Sequence, residues 1–167
     1  YRKMAITLFA DGRIEKNGTD IVGFTPAFSA YTSSTYNIAQ STYVKALYQS
    51  KHFDTDGAYD TSTSTFTVPS GKGGAYQINA AVSADDIGDG NYVSITLYID
   101  GAEASAGFYR RFLYIPTNDR IATVNFSHVV SLNAGQTVNI YVYHTTSGTQ
   151  ASENYCNYFS MFRIGGV

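Results

Sequence analysis

The chain has 167 residues, room for one domain with a well-buried core. Eleven Lys and Arg against 13 Asp and Glu leave a formal charge of −2, which gives no indication of the dense basic patch that binding nucleic-acid phosphates or an anionic membrane requires. Charged residues make up 14% and aromatics 15%, with 15 Tyr, 10 Phe and no Trp; so many amphipathic rings among so few charges point to half-wet packing surfaces and to an oligomer.

Residues 1–25 read either as an arm or small hairpin, too short to own a core, or as a flexible terminus. Ile6 to Phe9 and Arg13 to Glu15 are short strands around Asp11-Gly12, Asn17-Gly18 follows, and Gly23-Phe24-Thr25-Pro26 is a joint. Tyr1-Arg2-Lys3 ahead of Met4 reads as a processed or partial start with no signal peptide visible. From residue 26 period-two alternation recurs, with strands expected at 26–32, 42–48, 63–68, 76–83, 92–99, 104–115, 121–131, 137–143 and 156–164. In the strand at 92–99, Val93, Ile95, Leu97 and Ile99 alternate with polar or aromatic residues; in that at 137–143, Val138, Ile140 and Val142 do. Turn chemistry separates the strands at Asp56-Gly57, Pro69-Ser70-Gly71, Asp89-Gly90, Asp100-Gly101, Asn133-Ala134-Gly135 and Ser147-Gly148. Many short strands at this spacing predict a β-sandwich or jelly roll. The faces opposite the aliphatic ones carry Tyr92, Tyr98, Tyr141 and Tyr143 where charges are usual, so other subunits are expected to cover some of them.

Within this frame a few segments carry candidate chemistry. Asp54, Asp56 and Asp60 in Phe53–Asp60 are candidate calcium ligands, but the spacing lacks the full calcium-loop pattern and its terminal glutamate. The favoured reading is a tight turn at Asp56-Gly57, the other carboxylates capping amides and Phe53 and Tyr59 anchoring either side. Arg110 and Arg111 lie between aromatics in Phe108–Tyr114; they are either ligand-binding residues, since Arg pairs with carboxylates or phosphates and aromatics stack on sugars, or protective charges on an edge strand. His144 ends a strand and is a candidate to face a partner, while His128, in step with Phe126 and Val130, is expected to be buried or interfacial. The histidines show no zinc spacing, and the chain holds no G-x-S-x-G elbow and no phosphate-binding loop. Cys156, the one cysteine, precludes an intrachain disulfide and is expected to be a small buried side chain. Asn17-Gly18-Thr19 and Asn125-Phe126-Ser127 match the glycosylation triplet by coincidence if the source is bacterial or viral. No apolar run reaches the ~20 residues of a membrane helix.

From Pro26 onward the segments follow the order of a known family. Pro26–Ala30 resembles its opening strand, and Phe53, Asp54, Tyr59 and Asp60 the segment before the second sheet. Phe66–Pro69 with Gly74–Ile78 resembles its phenylalanine, proline, glycine and tyrosine pattern. Leu132–Val138 resembles the turn into its seventh main strand, and Tyr158–Phe162 its closing strand. Over residues 26–167 the chain resembles the globular head of the C1q/TNF superfamily. Two departures stand out. The Pro69–Tyr76 connection is two residues longer than the family spacing, so a bulge is expected there; Met161 stands where glycine is common.

The resemblance implies a ten-stranded antiparallel jelly roll, assembled as a homotrimer with one sheet facing the threefold axis. It makes Tyr76, Phe126, Tyr158 and Phe159 candidates for that interface or the core beside it. Family members that bind calcium at the trimer apex make Asp85, Asp86 and Asp89 a second candidate loop, against a solvated hairpin. No nucleophile and base can be placed together, so no catalytic residue and no cofactor is assigned. The function read from these points is a non-enzymatic virion structural protein: a fibre tip, spike or capsid decoration at the virion surface, resembling C1q-like heads of phage structural proteins. Residues 1–25 would attach it to other virion proteins, and a host-surface glycan or protein would be its target. The alternative is a secreted, extracellular C1q-like recognition or cytokine-like head. A carbohydrate-active enzyme would need two carboxylates across a sugar cleft, and the sequence nominates no such pair.

Overall fold

The computed structural model describes residues 6–8, 14–16, 19–20, 26–107, 109–116 and 121–165. Near the N-terminus, β1 (Ile6–Leu8), β2 (Ile14–Lys16) and β3 (Thr19–Asp20) form an antiparallel sheet of their own. The turns and the joint expected at 11–12, 17–18 and 23–25 lie outside the described residues. The following strands are β4 (Ala27–Tyr31), β5 (Asn37–Ile38), β6 (Val44–Lys45), β7 (Ser50–Asp54), β8 (Tyr59–Asp60), β9 (Thr65–Thr67) and β10 (Gly74–Asp85). Then come β11 (Tyr92–Ile99), β12 (Ala102–Glu103), β13 (Arg110–Tyr114), β14 (Ile121–Leu132), β15 (Thr137–His144), β16 (Gln150–Ala151) and β17 (Tyr158–Gly165).

Two five-stranded antiparallel layers make the sandwich. One runs β14-β10-β17-β4-β7 and the other β13-β11-β15-β9-β8. β6 and β12 extend the second layer, and β5 pairs with β16. Alternation explains the layering: Tyr76, Ile78, Ala80 and Val82 of β10 are fully buried, as are Val93, Ile95 and Leu97 of β11 and Val138 and Val142 of β15.

The centre of the core is aromatic. Phe28 of β4 stacks on Tyr59 at 4.4 Å and on Phe66 at 5.2 Å, both from the other layer, and meets Phe159 of β17 edge-on at 5.0 Å. Each buried tyrosine in this cluster donates its hydroxyl to a backbone carbonyl: Tyr48 to Ala81 at 3.2 Å, Tyr59 to Tyr48 at 3.0 Å and Tyr76 to Lys72 at 2.5 Å. The rings thus bury their apolar bodies without stranding a polar tip. Met161, in the place where glycine is common, is 1% exposed and fills the core opposite Phe28. A register shift between Ala75 and Tyr76 puts a bulge at the end of the long Pro69–Tyr76 connection, with Ile164 as the extra residue on β17.

Several expectations need correction. The strand expected at 104–115 breaks into a 3₁₀ turn over Ala104–Gly107, with Ser105 at φ +49°, followed by β13. β7 does not alternate and is the edge of its layer, with Lys51, His52 and Phe53 all exposed, so its sequence hides it. Within 42–48 only β6 is strand. Phe53 is no internal anchor: it is 51% exposed on the outer surface, and Tyr59 alone packs inward. Cys156 is exposed at φ +62° because β17 begins two residues later, and Asn157 takes the inward place, accepting from the Ser83 amide.

Candidate functional site

The acidic turn that follows β7 is held from within. Asp54 accepts the amides of Ala58 and Tyr59 at 3.0 and 3.1 Å and pairs with Lys51 Nζ at 2.9 Å. Burial pushes its carboxyl upward, but the Lys51 bond and the two amides more than offset this, so the net shift is downward. Asp60 accepts the Ser62 amide at 2.8 Å and the Thr63 hydroxyl at 2.8 Å, which lower its pKa. Asp56 accepts the Thr55 hydroxyl, and Gly57 makes the turn at φ +63°. The carboxylates here cap donors, as the tight-turn reading expects. Asp85 accepts the Asp86 amide at 2.9 Å, and Asp86 itself sits at φ +53°; with Asp89 they line the connection from β10 to β11. Among the described residues no three His, Cys, Asp or Glu side chains gather in a way that could hold a metal ion.

The candidate ligand-binding residues separate. His144 is fully buried, its Nε2 donating to the Ile38 carbonyl at 2.8 Å, and no outside ligand reaches it. This corrects the expectation that it faces a partner: it lies on the aliphatic face of β15, not the tyrosine face. Arg111 donates to His128 Nε2 at 2.5 Å on one side of β13. His128 is half-buried, not enclosed; its surroundings and the Arg111 charge lower its pKa. Arg110 points to the other side, paired with Glu103 at 2.6 Å and lying over the rings of Tyr43 at 5.1 Å and Phe112 at 5.8 Å.

That other side is the tyrosine face. Register places Tyr92, Ser94, Thr96 and Tyr98 of β11 beside Tyr143 and Tyr141 of β15 and beside Tyr114, Phe112 and Arg110 of β13. Tyr98 stacks on Tyr141 at 3.9 Å, Tyr92 on Tyr143 at 5.8 Å, and Tyr92 meets Phe112 at 5.5 Å. Tyr43 reaches over from the segment before β6 to Tyr143 at 5.0 Å and Tyr98 at 6.3 Å. Tyr43 falls in the strand expected at 42–48 but is not among the tyrosines assigned to this face from the sequence; in the structure it sits just before β6. These five tyrosines are half-buried in the single chain, and Tyr43 accounts for part of the cover expected from other subunits. Ser94 and Thr96 lie enclosed beneath the rings.

The outward face of the other layer differs in kind. One row across the register is Val129, Gln77, Phe162 and Ala27; the next is Ser127, Asn79, Ser160, Ser29 and Phe53; the third is Asn125, Ala81, Tyr158 and Tyr31. None of these residues is charged. Gln77 donates to Ser127 at 3.0 Å and Asn79 at 3.2 Å, and Ser127 donates to Asn79 at 2.9 Å, so these polar groups satisfy one another. Around them Val129, Tyr158 and Phe162 are 49%, 40% and 37% exposed. Of the four residues assigned to the subunit contact or adjoining core, Tyr76, Phe126 and Phe159 lie in the core and only Tyr158 is on this face.

Two such layers, in this strand order and with these faces, define a C1q/TNF-like jelly roll. The globular domain of zebrafish complement 1qA protein is similar over 86% of this chain and 100% of its own, at 19% identity and TM-score 0.57. Eiger TNF from S. frugiperda is similar over 84% of this chain and 93% of its own, at 12% identity and TM-score 0.57. Murine APRIL, crystallised at pH 5.0, is similar over 83% of this chain and 98% of its own, at 9% identity and TM-score 0.58. At these identities the likeness is one of fold. No protein-family model and no curated protein matches the chain.

Proposed function

We propose that the chain is a non-enzymatic, trimeric, ligand-like head, three copies packing through the outward face of β14-β10-β17-β4-β7. The observation that carries this reading is that face: three rows without a charge, Gln77, Asn79 and Ser127 hydrogen-bonded to one another at its middle, and exposed Phe53, Val129, Tyr158 and Phe162 around them. Such a surface loses little when dehydrated, because few groups leave water unpaired. Obligate interfaces bury on the order of 2,000 Å² or more and concentrate aromatics at their centre. The fold shared with C1q and TNF domains is consistent with the trimer that the family resemblance implies. A head of this kind binds through its surface, and three copies gain avidity when their ligand is repeated.

The finer reading places the trimer on a virion, as a fibre tip, spike or capsid decoration meeting a host surface. Its polar Ser/Thr/Tyr-rich strands and lack of disulfides support this, and residues 1–25 then join it to other virion proteins. The alternative, a secreted extracellular head, is favoured by the complement and TNF proteins whose structures it resembles. Electron micrographs of intact particles labelled with antibody against residues 1–25 decide between them: label on the particle supports the virion, and label only in the surrounding fluid supports the secreted head.

A further inference from the structure

We propose that the tyrosine face of the β13-β11-β15-β6 layer is a carbohydrate-binding surface that takes the pyranose rings of a neutral glycan. This rests on the trimeric-head reading: with the opposite layer turned toward the threefold axis, the tyrosine face points away from the assembly and is displayed. The rings are preset. Tyr98 against Tyr141 at 3.9 Å and Tyr92 against Tyr143 at 5.8 Å are braced by one another, so these rings have little side-chain freedom left to lose on binding. At the margin, Phe112 and Tyr114 are 58% and 61% exposed and present aromatic surface directly.

Sugar chemistry matches what this face presents. The C–H face of a pyranose is apolar and weakly positive and packs on the negative face of an aromatic ring; its hydroxyls need neutral groups that both donate and accept. The tyrosine hydroxyls are such groups. A phenolic hydroxyl is protonated at neutral pH, and desolvation moves the pKa of Tyr43, Tyr92 and Tyr98 further upward from its ordinary value. A neutral ligand fits the charges: Arg110 is already paired with Glu103, Arg111 turns to His128 on the other side, and Lys45 leans to the Thr63 carbonyl. A second observation points to a ligand. Ser94 Oγ, in a residue 1% exposed, and Arg110 Nε are both enclosed within this face without a hydrogen-bond partner. Buried donors of this kind are costly unless something supplies an acceptor; the Tyr43 ring lies over the Arg110 guanidinium, and a sugar hydroxyl taking its place there would supply one.

The test is binding of the whole chain to an immobilised array of neutral, sialylated and sulfated glycans, with molar mass measured by light scattering on the same sample. Retention on neutral pyranose glycans is expected, weakened at least tenfold by Tyr98→Ala. The double variant Tyr98→Phe, Tyr141→Phe keeps the rings and removes only hydroxyls, and it too should weaken binding; Lys72→Ser, on a distant turn, should not. No retention, retention only on charged glycans, or retention unchanged in both tyrosine variants overturns the proposal. A trimer that binds no glycan defeats this inference alone, whereas a monomer defeats the head reading beneath it.

Discussion

Asp54 shows how one residue can be read two ways until its partners are known. Its carboxylate is enclosed, with 2% of the side chain exposed, and holds Lys51 and the amides of Ala58 and Tyr59. Replacing it with alanine leaves those donors without an acceptor, and Asp54→Ala should lower stability by about 1–3 kcal/mol in urea unfolding. Its carboxyl titrates lower in the folded chain than in the unfolded one. The stability it adds is therefore complete above the unfolded value near pH ~4 and is lost as pH falls through the lower folded value. Asp54→Asn should flatten the acid limb of the melting profile; an unchanged limb would count against this account. Because the carboxylates of this turn cap donors within the chain, millimolar calcium should leave the melting temperature unchanged, and a rise of several degrees would contradict it. The sequence shows the turn, since Asp56-Gly57 is a local signal, and the structure supplies which amides Asp54 meets.

Among elements, the hairpin from β11 to β12 is the plainest case of local chemistry deciding structure. Ile99 pairs with Ala102, so Asp100 and Gly101 alone make the connection, and both have positive φ, +52° and +77°. A two-residue turn with that twist matches the strands it joins. Nothing lies within 4 Å of where a Cβ on Gly101 would sit. Gly101→Ala therefore carries only the backbone cost of a left-handed residue, about 1–2 kcal/mol by urea unfolding, with no change in fold. A core element behaves otherwise: Phe159 meets Phe28, Tyr48 and Tyr59, and Phe159→Ala should cost about 3–5 kcal/mol. The glycines of the six turn signals read after residue 26 have positive φ, so those turns and the long alternating strands were legible. β7 was not, because an edge strand exposed on both sides loses its alternation. Nor was the 3₁₀ turn over Ala104–Gly107, whose small residues and following aromatics suit an extended run equally well.

For the whole molecule, the question is where a chain so poor in charge and rich in rings puts its aromatic surface. The sequence pointed to concealed tyrosine faces. The structure divides that expectation between two surfaces: a tyrosine face half-covered by its own Tyr43, and three charge-free rows on the outward face of the opposite layer. The second was not legible beforehand, because Ser, Asn and Gln in alternation look like a solvated face until the register places them beside Phe53, Tyr158 and Phe162. A charge there should be decisive. Phe162→Glu, at an exposed position, should fold normally yet release monomers, seen as a smaller sedimentation coefficient with an unchanged far-ultraviolet spectrum. The most direct test is the molar mass of the unmodified chain by light scattering at micromolar concentration. The account expects three times the 18.2 kDa of one chain; a well-folded species of 18.2 kDa would contradict it.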